Sequence, residues 1–234
     1  MNAFRIYARS MARKLQLHRI INRMRGLLHR NAEYEERFHK ALESAIHPGD
    51  VVWDVGANEG LFTEIFCRWV GPKGHVVAFE PNPEPLAEAR RRIGDCSWLS
   101  LENVALGDRD EMSTLIVQEN HSRSGHIYSD VEADLAPQSG IPIRINTGDT
   151  VCRRTGCVPN VIKIDVEGFE EEVLKGLNES LSSPSLRAVL IEVHFAQLQS
   201  RGKATAPVRM EKLLKNSGFK ITWVDGNHVK AYRN

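Results

Sequence analysis

The sequence predicts an α/β fold with a mostly parallel sheet and an antiparallel hairpin at its C-terminal edge. The first observation is a short apolar run, Val51 to Val55, that leads through a glycine loop into a helix-compatible segment, Leu61 to Val70. A strand, a glycine loop and a helix in this order form the unit with which α/β folds bring backbone against a ligand. Strand-like and helix-like segments then alternate along the chain, which ends in a hairpin over residues 219–232.

The remaining elements follow from apolar runs, helical periodicity and turn signals. Residues 34–46 carry apolar side chains on one helical face and end at His47-Pro48-Gly49, a combination that stops a helix. Pro81-Asn82-Pro83 turns the chain into a charged helix, and the apolar run Val161 to Asp165 is typical of a central strand. The predicted strands are residues 51–55, 75–79, 98–106, 114–117, 161–165 and 186–193, and the predicted helices are residues 34–46, 61–70, 84–93, 169–177 and 207–216.

Length and composition fit one soluble domain with extensions. The chain has 234 residues, of which 41% are apolar and 26% charged, as is ordinary for a globular protein. It contains neither an apolar run of membrane-spanning length nor a signal-peptide pattern. None of its four cysteines belongs to a Cys-x-x-Cys pair, so zinc and thiol-redox chemistry have no support. We therefore expect reduced thiols in a cytoplasmic protein.

Charge is distributed unevenly along the chain. Residues 1–32 contain eight arginine or lysine residues and no acid, so residues 33–234 carry 23 basic and 30 acidic side chains. Apolar residues recur at helical spacing through the basic part, and we predict a basic amphipathic helical extension over residues 1–47. It could cover the rest of the chain or a second copy in a homo-oligomer, contact an anionic membrane or an acidic partner, or act as a transit peptide. No nucleic-acid motif is present, and no nucleic acid is expected.

Residues 118–150 differ in character from the segments around them. They are polar and rich in turn residues, with Pro137, Pro142 and one alternating run, Ile141 to Ile145. Long connections in a compact domain commonly carry function. We predict a substrate-side insertion within a domain that spans residues 48–234, placed over the active site.

The glycine loop and the strand that follows it indicate a nucleoside-bearing cofactor. The second strand ends in Glu80, and an acid at this position holds the hydroxyls of a ribose in such folds. A dinucleotide-binding loop would need glycine at residues 56, 58 and 61, but the chain has Asn58 and Leu61, which disfavours a nicotinamide enzyme. The pattern Asp-x-Gly-x-Asn-x-Gly over residues 54–60 instead resembles loops of S-adenosylmethionine-dependent methyltransferases.

Polar side chains stand at the ends of four predicted strands. In open α/β sheets, ligands bind beyond the carboxyl ends of the strands, and a purely structural sheet has no use for so many ionisable groups at one edge. A single such group could be a solvated strand terminus, but four together indicate a site. The groups are Asp54 with its glycine loop, Glu80, Lys163 with Asp165 and Glu167, and Glu192 with His194.

On these residues the chain resembles the FkbM-type S-adenosylmethionine-dependent methyltransferases. The resemblance covers about residues 51–194 and is most specific in the Lys-Ile-Asp-Val-Glu-Gly stretch. One departure is Thr147-Gly-Asp149-Thr, where the family usually has a Leu-Asp-Asp-Leu-like segment. The matching motifs are Asp54-Val-Gly-Ala-Asn-Glu-Gly60, Phe79-Glu-Pro-Asn-Pro83, Asn103-Val-Ala-Leu-Gly-Asp108, Ile162-Lys-Ile-Asp-Val-Glu-Gly168, Leu174-Lys-Gly176 and Ile191-Glu-Val-His194.

The resemblance implies a Rossmann-like class I methyltransferase sheet and a reaction. The cofactor would be S-adenosylmethionine, and the acceptor would commonly be a hydroxyl of a sugar, a glycan or another natural product. The implied cofactor-binding residues are Asp54, Gly56, Asn58 and Gly60 in the glycine loop, Glu80 at the ribose, and Asn103 and Ala105 beside the adenine.

A hydroxyl acceptor needs a base beside it, because a hydroxyl is a weak nucleophile near neutral pH. The candidates are Asp165 and His194 at adjacent strand ends, with Glu192 beside them. Lys163 shares a strand face with Asp165 and could tune or orient its carboxylate. Two alternatives remain. In the first, a divalent metal, which is not expected, could be held by Asp165, Glu167, Glu192 and His194. In the second, the fold could bind its cofactor or a partner without catalysis.

Overall fold

A computed structural model describes residues 36–117, 125–128 and 140–233 of the chain. Residues 1–35 of the predicted basic amphipathic extension lie outside the described residues, as do residues 118–124 and 129–139 of the predicted insertion. The elements from the first strand onward belong to one compact unit that begins at Ala41. The predicted division at residues 47 and 48 stays a prediction.

Eleven strands and eight helices make up the described part of the chain. The strands are β1 (Val51–Val55), β2 (His75–Phe79), β3 (Leu99–Glu102), β4 (Ala105–Leu106), β5 (Glu111–Val117), β6 (Gly125–Tyr128), β7 (Ile141–Asn146), β8 (Val161–Ile164), β9 (Ala188–Glu192), β10 (Lys220–Trp223) and β11 (His228–Tyr232). The helices are α1 (residues 36–43), α2 (Leu61–Val70), α3 (Pro83–Ile93), α4 (Gly148–Thr155), α5 (Glu170–Lys175), α6 (Asn178–Ser182), α7 (Phe195–Ser200) and α8 (Ala206–Asn216).

Seven strands form the main sheet, in the order β10-β11-β9-β8-β1-β2-β3. All neighbours pair in parallel except β11, which runs antiparallel to both β9 and β10. The central strands β1, β2 and β8 are almost entirely buried, as expected for parallel strands covered on both faces. This confirms the predicted mostly parallel sheet with an antiparallel hairpin edge, and it brings the carboxyl ends of β2, β1, β8 and β9 to one side.

A second sheet has the strand order β4-β7-β5-β6. The prediction of one strand over residues 98–106 is wrong, because β3 lies in the main sheet and β4 in the second. The break falls at Asn103, whose side-chain amide donates to the carbonyl oxygens of Glu80 and Pro81, both at 2.9 Å. This side chain fixes the chain where it leaves the main sheet. The alternating run at 141–145 forms β7, with Ile143 and Ile145 buried.

Helix α4 was not predicted, and it explains the departure at Thr147-Gly-Asp149-Thr. The side chain of Thr147 accepts a hydrogen bond from the Thr150 N–H and caps this helix. Asp149 is buried and accepts from the N–H groups of Glu179 and Ser180 at 2.8 and 2.9 Å, at the start of α6. This segment therefore joins two short helices through a buried carboxylate.

The main core lies between the central strands and the helices that cover them. Trp53 and Phe79 meet there with ring centroids 4.9 Å apart, and both side chains are essentially inaccessible to solvent. Within the described ranges, no helix combines the length and the apolar character needed to cross a membrane.

Candidate active site

A cleft opens at the carboxyl ends of β1, β2 and β8. It is open to solvent and has about 780 Å³ of free space, counting its open mouth. One wall is apolar and comes mainly from the second sheet, with Val104, Ala105, Leu106, Leu115 and Phe169. The other wall is polar or made of backbone and includes Gly56, Asn58, Glu80, Asn82, Asp165 and Glu167.

The glycine loop after β1 lies against the end of β8. Gly56 has φ 82°, and a Cβ atom there would stand 1.8 Å from the carbonyl oxygen of Asp165. Only glycine lets the two strand ends come this close. The N–H groups of Gly56 and Ala57 both donate to the carbonyl oxygen of Phe79 at 3.0 Å. Gly60 instead packs against α3, because a Cβ atom there would lie 2.8 Å from the Cβ of Ala89.

Glu80, at the end of β2, is the best fixed polar group of the cleft. One carboxylate oxygen accepts from the N–H of Asn58 at 3.0 Å, and the other accepts from the N–H of Asn82 at 2.8 Å. Burial raises the pKa of this carboxyl, although the two backbone hydrogen bonds oppose the shift. Each oxygen keeps a lone pair for a further donor, such as a hydroxyl group.

Behind the glycine loop, Lys163 joins two carboxylates. The Lys163 side chain is only 2% exposed, and its Nζ lies 3.1 Å from Oδ1 of Asp54 and 3.3 Å from Oδ2 of Asp165. Burial lowers the pKa of the Lys163 ammonium, but the two carboxylates raise it by more. The pKa of Lys163 therefore lies above its ordinary value. Asp54 is fully buried and also accepts from the Thr63 hydroxyl at 2.7 Å. Asp54 therefore lies behind the wall of the cleft, whereas Asp165 forms part of it.

His194, after β9, stands among carboxylates. Its Nδ1 lies 2.7 Å from Oε1 of Glu170, which is fully buried. Its Nε2 faces Glu167, Asp165 and Glu192, with nearest oxygens at 3.5, 3.6 and 3.8 Å.

The charge of His194 follows from these neighbours. Burial alone lowers the pKa of the ring, but the hydrogen bond to Glu170 and the charges of Asp165 and Glu167 raise it to about 9. The imidazole therefore carries a proton at neutral pH.

Glu192 lies between two histidines. Besides facing His194, its carboxylate lies 3.5 Å from Nε2 of His228, and this hydrogen bond lowers the pKa of Glu192. His228 is itself held by Asp225, with Nδ1 2.8 Å from Oδ2.

Sequence reasoning missed Glu170, Asp225 and His228. Glu170 lies in the first turn of α5, where acids are common in any helix, so nothing in the sequence marked it as a buried side chain directed at His194. His228 and Asp225 belong to the predicted hairpin, and no sequence signal indicated that its inner strand, β11, pairs with β9 and sets His228 opposite Glu192.

The predicted site residues fall into three groups by position. Gly56, Asn58, Glu80, Ala105, Asp165 and Glu167 line the cleft. Asp54, Gly60, Lys163 and Asn103 support its walls through the contacts described above. His194 and Glu192 lie next to Asp165, at the acidic end of the cleft.

A metal ion would have a set of ligand atoms at this acidic end. One atom each from Asp165, Glu192 and His194 lies within 4.8 Å of the other two. Glu167 is the fourth predicted ligand, 3.5 Å from the same ring nitrogen of His194. A metal would bind the ring at Nε2 without its proton, since Nδ1 faces Glu170.

Comparisons with known proteins show which family this chain belongs to. The family model described as the methyltransferase FkbM domain matches residues 54–221. The 31-O-demethyl-FK506 methyltransferase FkbM of Streptomyces tacrolimicus is 31% identical over 208 residues, which cover 75% of each chain. The hexuronic acid methyltransferase AglP of Haloferax volcanii is 31% identical over 173 residues, 70% of this chain and 64% of that protein.

A solved structure agrees in fold. The methyltransferase FkbM of Methylobacillus flagellatus KT matches with a TM-score of 0.52 and 14% identity, over 79% of this chain and 43% of that one. The predicted resemblance is thereby confirmed over the sheet and the cleft, and this chain belongs to the FkbM methyltransferase family.

Proposed function

We propose that the chain transfers a methyl group from S-adenosylmethionine to an oxygen atom of a sugar, a glycan or another natural product. The observation that carries this proposal is one continuous cleft. At one end a fixed carboxylate, Glu80, follows the second strand, and at the other end Asp165 stands beside His194. A ribose and a reacting oxygen would need these two kinds of group.

The residues of the cleft fit the cofactor. Both oxygens of Glu80 are held by backbone N–H groups and can still accept from ribose hydroxyls. The apolar wall around Ala105, Leu106 and Leu115 suits a flat aromatic base. Near the glycine loop the carboxylates of Asp165 and Glu167 suit a positively charged group. When bound, S-adenosylmethionine supplies a methyl group on a sulfonium, which is a good leaving group.

The acceptor class is supported by the relatives. Two of them are named for the methylation of 31-O-demethyl-FK506 and of hexuronic acid, and both acceptors are rich in oxygen. An oxygen acceptor also suits the acidic end of the cleft, where a carboxylate can take up a hydroxyl proton.

The chain must align the acceptor oxygen and take up its proton. Asp165 is placed for the proton, because it lines the cleft with 27% of its side chain exposed, whereas His194 stands behind it. Lys163 and His194 hold the carboxylate from two sides, at 3.3 and 3.6 Å. Glu167 and Glu192 add negative charge around the same ring nitrogen, Nε2 of His194, so this end of the cleft stays acidic. The negative potential of these carboxylates favours binding of a cationic cofactor and uptake of the proton that the acceptor hydroxyl releases.

Methyl transfer from labelled donor to a panel of hexuronic acids, other sugars and macrolide alcohols tests the proposal. Asp165→Asn should lower the rate by a factor of about 10²–10⁴. It should change the affinity for S-adenosylhomocysteine little, because the ribose and adenine contacts remain. Asp95→Asn changes an exposed aspartate and is the matched control. Unchanged transfer by the Asp165 variant would overturn the role of this residue.

A second candidate function is a methyltransferase fold that binds its cofactor or a partner without catalysis. The buried ribose-binding carboxylate would serve this function equally well. The same panel separates the two, since a binding protein would bind S-adenosylmethionine by calorimetry and methylate no acceptor. Asp165→Asn would then leave both the calorimetric binding of S-adenosylmethionine and the lack of methyl transfer unchanged.

We expect no requirement for a divalent metal. Dialysis against a chelator, followed by assay with and without magnesium or manganese, tests this expectation. A rate that falls on chelation and returns with one of the ions would instead assign Asp165, Glu167, Glu192 and His194 as ligands.

The predicted cytoplasmic location, the homo-oligomer and the contact of residues 1–32 with a membrane stay predictions. Cosedimentation of the full chain with anionic and with neutral vesicles tests the membrane contact, which should appear with the anionic vesicles alone and weaken as salt is added.

A further inference from the structure

Helix α5 begins with three consecutive buried glutamates that have different partners. Glu171 pairs with Arg209 at 2.6 Å, and Glu172 pairs with Arg201 at 2.9 Å and with Lys203. Both therefore anchor neighbouring segments through arginine and lysine. Glu170 has no such partner among the described residues, and its Oε2 is buried without a hydrogen bond there. Its Oε1 is directed at His194.

Glu170 ties together the two loops that carry the acidic end of the cleft. Its Oε1 accepts from the N–H of Gly168 at 2.9 Å and lies 2.7 Å from Nδ1 of His194. Gly168 closes the turn after Asp165, and His194 follows β9. Because a carboxylate only accepts hydrogen bonds, Nδ1 of the ring is the donor. This bond leaves Nε2 as the nitrogen that faces Asp165 and Glu167.

We propose that Glu170 is a positioning residue of the methyl-transfer reaction, which fixes the imidazole of His194 so that Nε2 faces Asp165. This inference rests on the proposed function. A buried carboxylate is costly, and an apolar side chain would fill the position without that cost. The acid is therefore explained by its two donors, one on each loop. Without it the ring of His194 is free to turn about its Cβ–Cγ bond, and the Asp165 carboxylate loses a fixed neighbour.

The test compares Glu170→Ala, Glu170→Gln and the matched control Glu171→Gln in the full chain. Glu170→Ala should lower kcat about tenfold to hundredfold, as expected when the partner that orients a functional histidine is lost. The KM for S-adenosylmethionine should change less than about threefold, because the ribose site is untouched. Glu170→Gln keeps an oxygen acceptor for the ring N–H and should retain at least about a third of kcat. Glu171→Gln should lower the melting temperature and leave kcat unchanged.

A spectroscopic measurement keeps the test independent of any acceptor. In the parent protein, NMR should detect a slowly exchanging proton on Nδ1 of His194, assigned by its loss in His194→Gln. This resonance should disappear in Glu170→Ala and persist in Glu171→Gln.

The outcomes separate the two proposals. If no acceptor is methylated, the proposed function fails, while the resonance still decides whether Glu170 holds the ring. If the resonance persists in Glu170→Ala, or if this variant keeps the kcat of Glu171→Gln, the positioning role is overturned.

Discussion

Two ends of the cleft are held together by different interactions: the end at Glu80, called the ribose end after its proposed ligand, and the acidic end at Asp165 and His194. At the ribose end, Glu80 is fixed by backbone N–H groups of residues 22 and 2 positions away in the chain. At the acidic end, Asp54 and Lys163 are 109 residues apart, and His194 and Glu170 are 24 apart. Loop conformation therefore sets the first end, whereas charge balance among different elements sets the second. Changes of charge should accordingly unfold or inactivate the acidic end and only weaken binding at the ribose end.

Lys163→Met should have the largest effect on folding. The substitution leaves Asp54 and Asp165 without the ammonium between them, and removing one partner of a buried ion pair costs about 3–5 kcal/mol. The free energy of unfolding, measured by denaturant titration, should fall by that amount. Lys175→Met is the control, because its ammonium is 47% exposed and pairs with Glu171 at 3.2 Å, so less than about 1 kcal/mol is expected. Equal losses in both variants would contradict the importance of the buried pair.

Glu80→Gln should come next and should act on binding. Both carboxylate oxygens accept backbone N–H groups, so the NH₂ of a glutamine must face one of these donors. Hydrogen bonds to charged groups are worth about 1.5–3 kcal/mol, and the Kd for S-adenosylhomocysteine should rise about tenfold to hundredfold in calorimetry. Glu84→Gln, exposed in the first turn of α3, is the control. A Kd unchanged from the parent would remove Glu80 from the ribose site.

The pH dependence of stability should report the charge of His194. Its folded pKa of about 9 lies above the ordinary value of 6.5, so the protonated ring stabilises the fold fully below pH 6.5. This contribution is lost as the pH rises through 9. The parent should therefore be more stable than His194→Gln at pH 6, by an amount on the order of 1 kcal/mol. The difference should shrink by pH 10 in thermal melts.

The same titration discriminates between the two candidate bases. If Asp165 takes the proton and His194 supplies positive charge, kcat should stay level from pH 6.5 to 8.5 and fall above pH 9. A rate that instead increases up to pH 9 would make neutral His194 the base.

Glu171→Gln should have the smallest effect on stability, and this effect should disappear at acidic pH. The hydrogen bond to Arg209 lowers the pKa of Glu171 to about 2. Its stabilising contribution is therefore present above pH 4.5 and is lost as the pH falls through 2. At pH 7 the variant should be less stable than the parent by about 1 kcal/mol, and the two should converge near pH 2. A difference that persists in acid would assign the loss to packing.

Local pattern was enough to predict from sequence that Glu80 lies beside the glycine loop. The glycine loop and Glu80 belong to one continuous unit of strand, loop, helix and strand. The geometry of this unit is set by residues that lie close together in the chain. The alternation of Lys163 and Asp165 on one strand likewise predicted a contact, which is 3.3 Å in the structure. The sequence alone could not assign Asp54 to the position behind the wall, because that depends on how β1 and β8 pair.

The sequence predicted that acids gather at the acidic end of the cleft, but it identified only some of the residues there. Asp165, Glu167, Glu192 and His194 follow strands, and strand ends were expected to carry the site. Glu170 lies on a helix and His228 on β11, between β10 and β9, and in neither case does local periodicity reveal which way a side chain is directed in space. The break between β3 and β4 was missed for the same reason, since Asn103 acts through carbonyl groups of another loop.

By itself, the sequence determined the order of the main-sheet strands, the position of the glycine loop and the family of the chain, because these depend on apolar periodicity and on contiguous motifs. Only the tertiary structure decided which acids face the cleft, which neutralise Lys163 and which hold His194. The physical reason is that the charge and direction of a side chain depend on neighbours in space, and parallel strand pairing brings such neighbours together from distant parts of the chain.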